Sequence, residues 1–186
     1  MSPSKRMFFI ALLPPQDIQD QITEIKEYFA QNYHTHKALN SPPHITLQSP
    51  FEWSLDDLPM LIQCLENFAI SHHLIPITLS NFAAFPPRVI YIDVFKSPEL
   101  LQLQSALSNH LANTLNIVDS RSQNRDFVPH VTVAFKDLTK DNFYKSWPEF
   151  QNKSLLFQFV ATDITLLLHD QGKWQINHQF PLLLNP

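Results

Sequence analysis

Pro43-His44-Ile45-Thr46-Leu47 and Pro129-His130-Val131-Thr132-Val133 agree in chemical type at all five positions: proline, histidine, aliphatic, threonine, aliphatic. Polar and apolar residues alternate in both, which is the pattern of a half-buried β-strand. His44 and Thr46 then share one face, with Ile45 and Leu47 turned into a core behind them. His130 and Thr132 repeat this, backed by Val131 and Val133. Proline lacks an N–H and suits the first residue of such a strand. A single His-x-Thr carries little information. Two copies, each opening an expected strand, imply one device used twice and two similar α+β lobes with their motif strands facing each other.

These side chains suit displacement at phosphorus. The attacking oxygen must lose a proton and the leaving oxygen must gain one, and histidine can do either near neutral pH. Threonine hydroxyls can donate to the non-bridging oxygens, where transition-state charge sits. His44, Thr46, His130 and Thr132 are therefore the candidate catalytic residues. No metal and no cofactor is required by this set.

Outward from the motifs, the chain reads as alternating strands and helices. Met7–Leu13 is a strand, and Pro14-Pro15 opens a helix whose apolar face is Ile18, Ile22, Ile25 and Phe29. After the strand His44–Phe51, Ser54 is the expected cap of a second helix, with Asp56 and Asp57 in its first turn, ending near Ala69. Ile75–Phe85 and Arg88–Phe95 are strands separated by Pro86-Pro87. Ser97-Pro98-Glu99 starts a helix with Leu100, Leu103, Leu107, Leu111 and Leu115 on one face. A polar stretch, 116–126, leads to the strand His130–Phe135. A helix over Asp141–Phe150 should be shortened by Pro148, and three strands follow at Leu155–Val160, Thr162–His169 and Trp174–Phe180. Hairpins with flanking helices indicate mostly antiparallel sheets, and no linker divides residues 1–186, so one two-lobed domain is expected.

Composition removes competitors. The chain has 186 residues, a net charge of −4, 15 phenylalanines, one cysteine and one glycine. Gly172 alone cannot build a glycine-rich phosphate loop, so side chains must do that work. A net negative charge argues against duplex DNA as a partner. No apolar run approaches membrane-spanning length, Cys64 cannot form an intramolecular disulfide, and a cytoplasmic monomer is expected. His34, His36, His72 and His73 match no metal-binding spacing. His169 and His178 fall in C-terminal hairpin strands, and Phe143, Tyr144 and Trp147 read as a helix face covering a sheet.

The two motifs, together with the N-terminal Phe8-Phe9-Ile10-Ala11-Leu12-Leu13-Pro14-Pro15, resemble the two-histidine phosphoesterase superfamily, in its bacterial 2'-5' RNA ligase-like branch. The resemblance spans nearly the whole chain. It implies a bilobal α+β fold with a pseudo-two-fold axis, helices on the outer faces and an active-site groove between the lobes. It implies hydrolysis of 2',3'-cyclic phosphates on a nucleotide or RNA end to 2'-phosphomonoesters, with 2'-5' ligation in some members. The flanks depart from the better-known members: Gln48–Trp53 follows the first motif where Phe-Leu-Gly is common, and Lys136 stands where an arginine often follows the second. The substrate therefore stays open between cyclic-ended RNA, ADP-ribose cyclic phosphate and 2'-5' oligonucleotides, and a non-catalytic nucleotide-binding module is a further alternative.

Four more residues are candidates for substrate binding. By strand alternation Lys136 joins the face of His130 and Thr132. Arg88 could clamp a phosphate and Tyr91 could stack on a base, although alternation puts them on opposite faces. Phe51, with Trp53, could line a base pocket just past the first motif. Each has a plainer alternative as a packing or surface residue.

Overall fold

The computed structural model describes residues 4–119 and 126–184. Two four-stranded antiparallel sheets are built from eight strands among these residues: β1 (Lys5–Leu12), β2 (Ile45–Ser54), β3 (Ile75–Phe85), β4 (Val89–Val94), β5 (His130–Ala134), β6 (Leu156–Ala161), β7 (Asp163–Asp170) and β8 (Lys173–Pro181). The strand orders are β2-β1-β7-β8 and β5-β4-β3-β6. Four helices accompany them: α1 (Gln16–Tyr33), α2 (Leu58–Ala69), α3 (Pro98–Leu115) and α4 (Lys140–Phe150), with a 3-10 turn at Lys37–Asn40.

The repeated motif sits in a repeated unit. β1-α1-β2 and β4-α3-β5 are each a helix joining two paired antiparallel strands, and in each the motif strand is the edge of its sheet. The two edges, β2 and β5, lie against one another. Each connecting helix also crosses to the other lobe: α1 packs on β5 and α3 packs on β2. One contiguous apolar cluster therefore runs through both sheets, from Phe8, Ile10 and Leu12 to Ile90, Ile92, Val131 and Val133. The lobes share a core, which stabilises their mutual placement as burial stabilises any domain.

Most element boundaries match the periodicity, with differences at three points. Ser54 does not cap α2: β2 extends through it, and its hydroxyl accepts from the Asp56 N–H in a turn. The helix begins at Leu58 behind Asp57, with Pro59 in its first turn, where a missing N–H costs little. Pro148 does not end α4 early, because the helix continues to Phe150, whose buried ring stacks on Phe29 at 4.4 Å. Strand β5 stops at Ala134, short of Phe135. Much of the polar stretch before it, residues 120–125, lies outside the described residues.

Candidate active site

Burial follows the alternation read from the motifs. Ile45, Leu47, Val131 and Val133 are at most 3% exposed. His44, Thr46, His130 and Thr132 are half-buried on the opposite faces. Tertiary packing then sets the two edge strands side by side, and both border a groove of about 910 Å³. Thr46 and His130 line it directly, with Phe85, Phe127, Gln104 and Asn109 among the other wall residues. Helix α3 thus forms one wall of the groove as well as packing the core.

The two histidines are held in the same way. The ring of His44 bonds through Nδ1 to the Pro42 carbonyl at 2.7 Å, and that of His130 bonds through Nδ1 to the Val128 carbonyl, also at 2.7 Å. A carbonyl only accepts, so Nδ1 carries the hydrogen and donates in both rings. The neutral imidazole then presents Nε2 as its acceptor. Each ring also rests on aromatic neighbours. Phe9 lies 4.7 Å from His44, and Tyr91 and Phe85 lie 5.1 and 5.5 Å from His130.

This enclosure sets the electrostatics. Burial pushes the His44 imidazole down to about 4, and the nearby charges of Lys26 and His130 add to that against the opposing bond to Pro42. Burial also lowers His130, but the Val128 bond and the carboxylate of Asp93 oppose the shift. Asp93 is the residue paired with His130 across β4 and β5. Both rings are therefore mostly neutral at pH 7, and His44 feels any charge that His130 takes up.

The secondary candidates divide. Tyr91 does belong to the site, but as the buried surface under His130. It pairs with Thr132, two residues from His130 on the same face, which puts it against that ring. Phe51 does not reach the groove; it packs on the core and stacks with Phe8 at 6.4 Å. Arg88 is exposed in the turn after the cis Pro86-Pro87 bond and is not a groove residue. Lys136 departs most clearly from its expected place. The strand ends two residues before it, its φ is +59°, and its ammonium lies 5.3 Å from the Phe135 ring on the surface. Alternation cannot be extended through a left-handed residue. Phe85, Phe9 and Asp93 were not legible as neighbours of the histidines: each is brought to one by the pairing of strands.

Among the described residues, no three His, Cys, Asp or Glu side chains gather into a metal-binding cluster, and no helix is long and apolar enough to cross a membrane.

Two antiparallel lobes whose facing edge strands each carry a histidine and a threonine, with Thr46 and His130 on a shared groove, match the architecture of the two-histidine phosphoesterase class. Residues 14–173 match the model of the 2'-5' RNA ligase superfamily, and the chain belongs to that family. It is 30% identical over 178 residues to a protein of Bacillus licheniformis named "putative phosphoesterase", covering 93% of this chain and 96% of that one. A Geobacillus protein of the same description is 29% identical, covering 92% and 93%. Among solved structures, a Thermus thermophilus protein superposes with a TM-score of 0.70 at 19% identity, covering 95% and 97%. Escherichia coli LigT complexed with 3'-AMP gives 0.67 at 20% identity, covering 96% and 99%. At these identities the two structures establish the shared fold.

Proposed function

We propose that this chain is a metal-independent cyclic phosphodiesterase that opens the 2',3'-cyclic phosphate of a nucleotide or RNA end to a 2'-phosphomonoester. The observation that carries the reading is the matched pair of imidazoles, each with Nδ1 tied to a carbonyl two residues back and Nε2 left for proton transfer. The Nε2 of one histidine takes a proton from water as the water oxygen bonds to phosphorus. The other histidine, protonated when the anionic phosphate enters and raises its proton affinity, donates to the 3' oxygen as the P–O3' bond breaks. Thr46 and Thr132 donate to the non-bridging oxygens. With a ribose 5' hydroxyl in place of water, the same steps would form a 2'-5' linkage.

The groove also offers an apolar surface beside the reacting centre. Phe85 is 41% exposed at the groove wall, in contact with Tyr91 and His130. An exposed aromatic ring next to the phosphate position is a place for a base to stack. The structures of LigT with 3'-AMP, NADP+ and ATP support a nucleotide as ligand. The test is hydrolysis of 2',3'-cyclic nucleotides and cyclic-ended RNA in EDTA, with the phosphate position of the product read by NMR. A 2'-phosphate product with a bell-shaped pH profile is expected, and full activity in either His44→Ala or His130→Ala would overturn the assignment.

A further inference from the structure

The carbonyl that orients His44 belongs to Pro42, at the end of segment 35–42. This segment, which contains the 3-10 turn, is fastened at both ends by charged side chains that the two-histidine reading leaves without a role. At its start, the Asp137 carboxylate accepts the Thr35 hydroxyl at 2.7 Å, the His36 N–H at 2.7 Å and the Lys37 N–H at 3.1 Å. At its end, the Lys26 ammonium donates to the carbonyls of Ala38 and Ser41, both at 3.0 Å.

The placement of these two residues is unusual. Lys26 is 2% exposed on the otherwise apolar face of α1, where lysine is seldom buried without partners. Burial lowers its ammonium to about 7. Asp137 comes from the other lobe, three residues beyond the end of β5, the strand that bears His130 and Thr132. The left-handed Lys136 and the Asp137 N–H to Phe135 carbonyl bond at 2.7 Å turn it back over the segment. A left-handed backbone at a residue other than glycine is uncommon and persists where surrounding contacts hold it. Burial alone would raise the Asp137 carboxyl, but the Thr35 hydroxyl and the N–H groups of His36, Asp137 and Lys37 hold it below its ordinary value.

We infer that Asp137 and Lys26 are positioning residues for His44: Asp137 ties the second motif strand to segment 35–42, Lys26 pins that segment's end, and Pro42 passes the placement on to His44 Nδ1. The route is continuous in hydrogen bonds and short stretches of chain from β5 to the first histidine. It fixes the aim of His44 relative to His130, which packing within one lobe cannot do. The inference rests on the two-histidine reading for its catalytic consequence but not for its structural one.

The test uses the full chain with Asp137→Ala and Lys26→Met, read by nitrogen-15 NMR of the imidazoles and by turnover of a 2',3'-cyclic nucleotide. The wild type should show His44 as the Nδ1–H tautomer. In each variant His44 should shift toward the other tautomer while His130 keeps its own. The kcat should fall about 10- to 100-fold, as expected for misplacement of a reacting group, with KM within about threefold. An unchanged His44 tautomer in both variants would overturn the inference. Should either variant fail to fold, Thr35→Val removes one of the Asp137 contacts, together with the longer 3.5 Å contact to the Phe135 carbonyl, and should shift His44 in the same direction by less; no shift there also overturns it. If the wild type turns over no cyclic phosphate while the tautomer moves as described, the positioning role stands and the proposed activity falls.

Discussion

The His44 and His130 segments are alike in everything local and differ in what surrounds them. Both open an edge strand, both follow a buried proline, and both bond Nδ1 to the carbonyl two residues back at 2.7 Å. Yet His44 lies near the Lys26 ammonium and against the Phe9 ring, whereas His130 faces the Asp93 carboxylate across the strand pair and rests on Tyr91 and Phe85. A duplicated motif thus sets the tautomer twice, and the neighbouring strands and helices give the two rings different proton affinities. Acid/base catalysis needs one ring protonated and the other neutral, and unequal surroundings bias which ring takes the proton when a phosphate enters.

The strongest attack on the comparison is to remove one ring at a time. His44→Ala and His130→Ala should each lower kcat/KM by about 10²- to 10⁴-fold, the usual worth of a positioned acid or base, measured with a cyclic nucleotide in EDTA. A large loss in one and none in the other would overturn the two-histidine assignment in spite of the matching geometry. Next in size is Asp93→Asn, which takes away the charge that raises His130. The limb of the pH–rate profile governed by His130 should move to lower pH and the other limb should stay. The limb that moves identifies whether His130 is the acid or the base.

Stability supplies a third check. Both imidazoles sit below their ordinary value in the folded protein, with His44 at about 4, so the unfolded chain binds protons more readily than the folded one. The folded state is then favoured fully above about pH 6.5, and that contribution is lost as pH falls through 6.5 toward 4. The melting temperature should fall over this window, and His44→Gln should flatten the slope. The smallest effects belong to the two basic residues that lie away from the groove. Lys136→Ala and Arg88→Ala should each change kcat/KM by less than about twofold, the ordinary consequence of a surface substitution. A tenfold rise in KM for Lys136→Ala would return that residue to the phosphate site.

The elements were legible because their signals are local. Leucines at helical spacing from Leu100 to Leu111, all buried in α3, and the Ser97 cap bonding the Leu100 N–H needed no tertiary information. The same holds for the alternation around each histidine. Lys136 was misread because alternation was extended past the true strand end, where a single left-handed residue reverses the geometry. Lys26 and Asp137 were missed for the opposite reason. Their partners lie 12 to 15 and about 100 residues away along the chain, and nothing in the local pattern distinguishes them from solvated charges.

By itself the sequence determined the fold class, the pair of histidines and threonines, and the face on which each pair stands, since periodicity and a short-range carbonyl bond are properties of a few adjacent residues. Only the tertiary structure decided which ring sits beside a cation and which beside a carboxylate, which aromatic lines the groove, and how one motif is held in register with the other. Those depend on strand pairing and cross-lobe hydrogen bonds, which join residues that chain order keeps far apart.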